Sequence, residues 1–139
     1  PKRQEQIKTS GAWKAGQQYK ASLEVAKRNL KTLVDRGVRI AFGTDTGPPG
    51  RFQGFFEHLE LEMMVEAGLT PMQALVSATG DAARCHHKAG EIGSLAAGAV
   101  ADLLIVNANP LENIRNLRNI ESVFIGDRAS RSRCPTASR

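Results

Sequence analysis

Aromatic residues are sparse: one Trp, one Tyr and five Phe make up 5% of the 139 residues. Any core must therefore rest mainly on Leu, Ile, Val, Ala and Met. Cysteine is scarcer still. Cys85 and Cys134 do not make a disulfide framework, and no zinc-ribbon spacing is present. Two free thiols are expected, which is compatible with a reducing compartment. No apolar run approaches the roughly 20 residues of a membrane span, and Pro1-Lys2-Arg3-Gln4 opens no signal-peptide pattern. No membrane partner is expected. The net charge of +5 is concentrated in residues 1–36 and 115–139, whereas residues 37–114 are acidic. The basic ends lack aromatic interleaving and any nucleic-acid-binding motif, so they read as solvated faces and no nucleic-acid partner is expected.

What is present suits a globular protein, with 41% hydrophobic and 24% charged residues. Residues 1–10 read as a frayed lead-in. From about Ala12 to Arg36, Tyr19, Leu23, Ala26, Leu30 and Leu33 recur at helical spacing, with Lys20, Lys27 and Lys31 outside that face. Gly37 is placed to end this helix. Thr46-Gly47-Pro48-Pro49-Gly50 is a loop. A second helix is expected over about Gln53–Ala67, with Phe56, Leu59 and Met63 inward and Gly68 as its stop. Thr70-Pro71-Met72-Gln73 combines a Thr N-cap, Pro at the first helical position and Gln in a capping box. It starts a third helix carrying Ala74, Leu75 and Ala78, and Asp81 is placed to cap one more short turn through Cys85. Cys85 reads as a small packed residue. Leu103–Val106 and Ile120–Ile125 read as strands. From Arg128 the Ser- and Arg-rich composition reads as disordered.

Between the first two helices lies Val38-Arg39-Ile40-Ala41-Phe42-Gly43-Thr44-Asp45, a nearly unbroken apolar run ending in a carboxylate. It reads as a strand at 38–43, buried on both faces, of the kind that parallel sheets contain. Such a strand needs parallel neighbours to pair its backbone groups, and the rest of the sequence offers none. A complete (β/α)8 barrel needs on the order of 250 residues, so the chain is expected to be incomplete as an isolated unit. In barrels, the C-terminal tip of a strand is where chemistry sits.

Downstream stands Gly93-Ser94-Leu95-Ala96-Ala97-Gly98-Ala99-Val100-Ala101-Asp102-Leu103-Leu104-Ile105-Val106, followed by Asn109-Pro110-Leu111. Together with Gly43-Thr44-Asp45, this resembles the C-terminal part of the metal-dependent amidohydrolase superfamily, in its imidazolonepropionase-like and Xaa-Pro dipeptidase-like branch, over roughly residues 11–129. The turn Ala97-Gly98-Ala99 departs from the family's Pro-Gly-Lys, and His86-His87 departs from its apolar and Gly-containing turn.

The resemblance implies an α/β fold. Residues 1–89 correspond to the last helix-strand-helix units of a TIM barrel, residues 90–129 to part of a composite β-sandwich, and residues 130–139 to a disordered tail. It implies hydrolysis of C–N bonds in cyclic amides or dipeptide-like amides by a metal-activated water, with a divalent metal, Zn by expectation. Asp45 matches the acid that binds the metal and exchanges protons with the attacking water. Thr46 is placed to line the substrate pocket, and His58 to approach the site from behind the residues that touch the ion. Asp102 is structural in that setting. The acidic positions Glu57, Glu60, Glu62 and Glu66 read as a solvated helix face. The full-length enzyme is expected to act on a small-molecule substrate as a homo-oligomer. The alternative is a non-catalytic binding or scaffold module derived from such an enzyme.

Overall fold

A computed structural model describes residues 11–47, 52–126 and 128–130. The expected lead-in at 1–10 and most of the expected tail lie outside the described residues. Helix α1 spans Gly11–Asp35, α2 Phe55–Glu66 and α3 Pro71–Val76. A π turn, Ser77–Asp81, runs on into the short helix α4, Ala82–Cys85. Strand β1 is Leu103–Val106, a 3-10 turn spans Ile114–Arg118, and β2 is Ile120–Ile125, followed by β3 at Arg128–Ser130. No described helix is long and apolar enough to cross a membrane.

Local sequence sets most of the boundaries. α1 closes with Gly37 N–H donating to the Val34 carbonyl and Val38 N–H to that of Leu33. α2 closes in the same way around Gly68, with Leu69 N–H reaching the Met64 carbonyl. Both are Schellman closures, and in the second the flanking Met64 and Leu69 are buried together. At α3, Gln73 N–H donates to Thr70 Oγ1 at 3.2 Å while Thr70 N–H donates to Gln73 Oε1 at 2.8 Å, the expected reciprocal cap. Asp81 does not cap α4; its carboxylate accepts from Arg84 Nη1 at 2.7 Å instead. The helix passes through Asp81 without interruption because the π turn absorbs the change of register. Cys85, expected to be packed, is exposed.

The core joins Leu61 and Met64 of α2, Leu69, Ala74 of α3, and Ile114 and Leu117 of the 3-10 turn. Leu30, Val34, Ile40, Phe42 and Val106 pack against it. It is thin: no described large side chain is fully buried. Two expected faces are shifted. On α1, Tyr19 is 75% exposed, whereas Lys27 and Lys31 are half-buried. Their aliphatic stems cover apolar surface while Lys27 Nζ reaches Glu66 Oε2 at 3.0 Å and Lys31 Nζ reaches Asp35 Oδ2 at 2.6 Å. On α2, Leu61 and Met64 enter the core, while Phe56, Leu59 and Met63 line an open groove of about 420 Å³ against Leu23 and Leu30 of α1.

The three strands form one antiparallel sheet in the order β1-β2-β3. Leu103 stands opposite Phe124, and a bulge falls between Ile105 and Val106. Arg128–Ser130, where the sequence reads as disordered, pairs with Val123–Ile125. Asp102 Oδ1 accepts the Gly126 N–H at 2.9 Å, the structural role expected of it.

Candidate active site

The segment expected as a strand at 38–43 is extended but forms no strand among the described residues. Its side chains nevertheless alternate with the period of a strand. Ile40, Phe42, Thr44 and Thr46 turn inward and are half-buried; Arg39, Ala41, Gly43 and Asp45 turn outward and are exposed. The expectation of burial on both faces is therefore met on one. Backbone pairing comes from an unexpected source, the buried Ser77 at the start of the π turn. Ser77 Oγ donates to the Ile40 carbonyl at 2.7 Å, and Phe42 N–H donates to the Ser77 carbonyl at 3.1 Å. One residue thus stands where a neighbouring strand would pair.

At the C-terminal end of this segment, Asp45 has φ +50°. A residue with a Cβ pays roughly 1–2 kcal/mol in this left-handed region, and such a conformation persists only where its surroundings enforce it. Hydrogen-bonded residues stand on either side of it. Thr46 Oγ1 donates to Glu57 Oε1 at 2.6 Å, and Thr44 Oγ1 lies 3.1 Å from the same oxygen. The other Glu57 oxygen accepts the Gly54 N–H at 2.5 Å. Glu57 occupies the third position of α2, where a carboxylate also suits the positive end of the helix. Gly54, at φ +81°, supplies the backbone shape that lets its amide reach Glu57. The Thr46 hydroxyl, and then the Glu57 amide, Thr44 and Gly54, hold the Glu57 carboxyl below its ordinary value of 4.5, against a smaller opposing effect of burial.

His58 is half-buried on α2. Burial first, then the Arg118 guanidinium, depress its pKa below 6.5 against the pull of Glu62 and Glu57, which favours a neutral imidazole. Of the acidic face of α2, Glu66 is the solvated residue expected, whereas Glu57 and Glu60 are half-buried and Glu62 is buried. Glu60 lines the groove between α1 and α2, and its carboxyl is pushed up by burial and then by Glu57. Glu62 is buried, with Arg115 Nε at 3.0 Å on one oxygen and Arg118 Nε at 2.8 Å on the other. The Arg118 hydrogen bond, followed by that of Arg115, keeps the Glu62 carboxyl low despite its burial.

Sequence reasoning missed Glu57 and Ser77. A signal for Glu57 existed in its position three residues after Gly54, the spacing of a capping box, but Gly54 has no side chain to complete one. Ser77 gave no signal. A metal centre is not complete in these residues: among those described, no group of three His, Cys, Asp or Glu stands close enough to hold an ion.

An inward-alternating extended segment covered on one side by helices is the layout of a single strand-and-helix unit of an α/β protein. The profile of the Amidohydrolase family matches residues 14–129, and the chain belongs to that family. It is 37% identical over 92 residues to the ochratoxinase of Aspergillus niger, covering 65% of this chain and 18% of that enzyme. It is 33% identical over 78 residues to the imidazolonepropionase of Rubrobacter xylanophilus, covering 56% and 19%. Among solved structures, a Xaa-Pro dipeptidase with methionine bound in its active site superposes with a TM-score of 0.66 at 32% identity, over 76% of this chain and 25% of that one. The chain spans about a fifth of the length of the curated relatives it matches.

Proposed function

We propose that this chain is the C-terminal part of a metal-dependent amidohydrolase that cleaves C–N bonds of cyclic amides or dipeptide-like amides, and that Asp45 is its metal-binding and proton-transferring acid. The observation that carries this reading is the one-sided burial of residues 39–46. Ile40, Phe42 and Thr44 pack toward the helices, while Ala41, Gly43 and Asp45 present an open face. Beyond Arg39 at its start, that face carries small side chains and a terminal acid, which suit the interior of a barrel whose other strands lie outside these residues. The relatives' names, ochratoxinase, imidazolonepropionase and Xaa-Pro dipeptidase, support amide substrates of small size.

The chemistry a divalent ion such as Zn²⁺ supplies in such a site is acidification of a bound water to a pKa of about 7. Asp45 would supply one ligand oxygen to such an ion. Its carboxylate accepts a proton from the attacking water and delivers it to the leaving nitrogen. Thr46 lines the substrate pocket through its methyl group, its hydroxyl being engaged by Glu57. His58 acts from behind as a neutral dipole on α2. Residues 90–129 contribute β1–β3 to a composite sandwich, and the exposed Leu104, Ile105 and Ile125 are the side chains such a sandwich would cover. The full-length enzyme works as a homo-oligomer.

The second reading, a non-catalytic module of the same descent, shares this geometry, because Asp45 lies on the open face of this chain in either case. Hydrolysis assays with alanyl-proline and Zn²⁺ separate the two. The 139-residue chain alone is expected to be inactive, and the full-length chain active, zinc-dependent and slowed at least a hundredfold by Asp45→Asn. Zinc-dependent hydrolysis by the 139 residues alone, or full activity of Asp45→Asn, would defeat the proposal.

A further inference from the structure

We propose that Glu57 is a positioning residue for Asp45, acting through the hydroxyls that flank it; this rests on the reading of Asp45 given above. Thr44 and Thr46 are the residues immediately before and after Asp45, and one carboxylate oxygen, Glu57 Oε1, lies within hydrogen-bond reach of both hydroxyls, at 3.1 and 2.6 Å. The two anchor points straddle a residue held at φ +50°. Two hydroxyls fixed to a common oxygen set the distance between residues 44 and 46, and that distance fixes the backbone turn at 45. The carboxylate is itself fixed, because Oε2 is tied to the Gly54 N–H at the mouth of α2. Hydrogen bonds from hydroxyls to an ionised carboxylate are short and strong, and 2.6 Å lies within their range. The direction in which Asp45 points is thereby set by the first turn of α2 and not by the extended segment alone. Partners of this kind, which orient a ligand without touching the ion, typically carry ten- to hundredfold in activity.

Glu57 therefore has a consequence for rate that a helix cap by itself does not. In the full-length enzyme, with alanyl-proline as the probe and Zn²⁺ present, Glu57→Ala is expected to lower kcat ten- to hundredfold with KM within about twofold. Glu57→Gln keeps one oxygen for both hydroxyls but sets its NH2 against the Gly54 N–H, so it is expected to recover only part of that loss. Thr44→Val, which leaves the α2 cap untouched, is expected to lower kcat severalfold and to cost nothing further on top of Glu57→Ala. In the 139-residue chain, the backbone NMR shifts of residues 44–46 are expected to move in Glu57→Ala and Thr44→Val, while those of the Thr70–Gln73 cap stay in place. The proposal is overturned if Glu57→Ala keeps kcat within twofold of a wild type that Asp45→Asn inactivates, an outcome that leaves the Asp45 reading standing. It is equally overturned if the 44–46 shifts do not respond, or if Glu57→Gln loses as much rate as Glu57→Ala while only thermal stability tracks the loss. An Asp45→Asn variant as active as wild type removes the reading of Asp45 and this proposal with it.

Discussion

Residue by residue, the chain is most informative where a side chain acts on its own backbone. The Thr70–Gln73 cap and the terminator glycines of α1 and α2 are spaced three or four positions from their partners, and the sequence shows them plainly. Thr70→Ala is expected to cost about 1 kcal/mol in urea unfolding. His87 shows the same closure built from the wrong residue. It sits at φ +56° just past α4, where His87 N–H donates to the Arg84 carbonyl and Lys88 N–H to that of Ala83. Glycine is the usual occupant of this position. Replacing His87 with Gly is expected to stabilise the chain by about 1 kcal/mol, seen as a rise in Tm of roughly 4 °C. An unchanged or lower Tm would show that the imidazole repays the strain. Glu57 was harder to read because Thr44 and Thr46 lie across a turn, and nothing in a linear pattern says that two hydroxyls share one oxygen.

Among the elements, helices were legible and their orientations were not. Periodicity located α1, but it selected Tyr19, Leu23, Ala26, Leu30 and Leu33 as the covered face; of these Leu30 is half-buried, and Lys27, Lys31 and Val34 join it in place of the others. Lysine stems are long enough to serve as apolar cover, and a hydropathy pattern counts them as outside. The strand at 38–43 was legible as an extended, alternating segment, yet no ladder forms because ladders require neighbours. Glu62 was invisible as a tie between elements: its two guanidinium partners lie more than fifty positions away. Removing it, by Glu62→Gln, is expected to cost about 1–3 kcal/mol, less than a fully buried pair because both arginines remain partly solvated. Its pKa is depressed in the folded chain, so the ion pair's contribution is intact above about pH 4.5 and is lost as pH falls through the lower folded value. Urea midpoints measured from pH 7 down to pH 3 should therefore fall more steeply for wild type than for Glu62→Gln; parallel curves would contradict this.

At the scale of the whole molecule, the sequence correctly indicated the family. The core is thin. Phe52 is 70% exposed, Leu95 90% and Ile125 66%, and the groove between α1 and α2 is apolar on both walls. The isolated chain is expected to bind the dye ANS under native conditions, as loosely covered apolar surface does. Absence of ANS fluorescence at neutral pH would mean these surfaces close on themselves in solution. The pairing of Ser77 with residues 40 and 42 was beyond the reach of local pattern, since it joins positions more than thirty residues apart.

The π turn at Ser77–Asp81 has a consequence for how this architecture tolerates length changes. It carries two attachments facing different ways. Ser77 grips residues 40 and 42, and the Thr79 carbonyl lies so near Gly93 that a Cβ there would meet it at 2.6 Å. The π turn is the accommodation of one extra residue within an otherwise α-helical run, so deleting Ala78 would let the ordinary ladder close with residues 82–85 near their present orientation. A deletion or insertion before Ser77 has no such slack: it would turn the serine by about 100° away from residues 40 and 42 and leave their backbone groups without this partner. The turn thus makes the helix tolerant of a lost residue inside it and intolerant of one lost just ahead, whereas a substitution such as Ala78→Val would merely crowd the core.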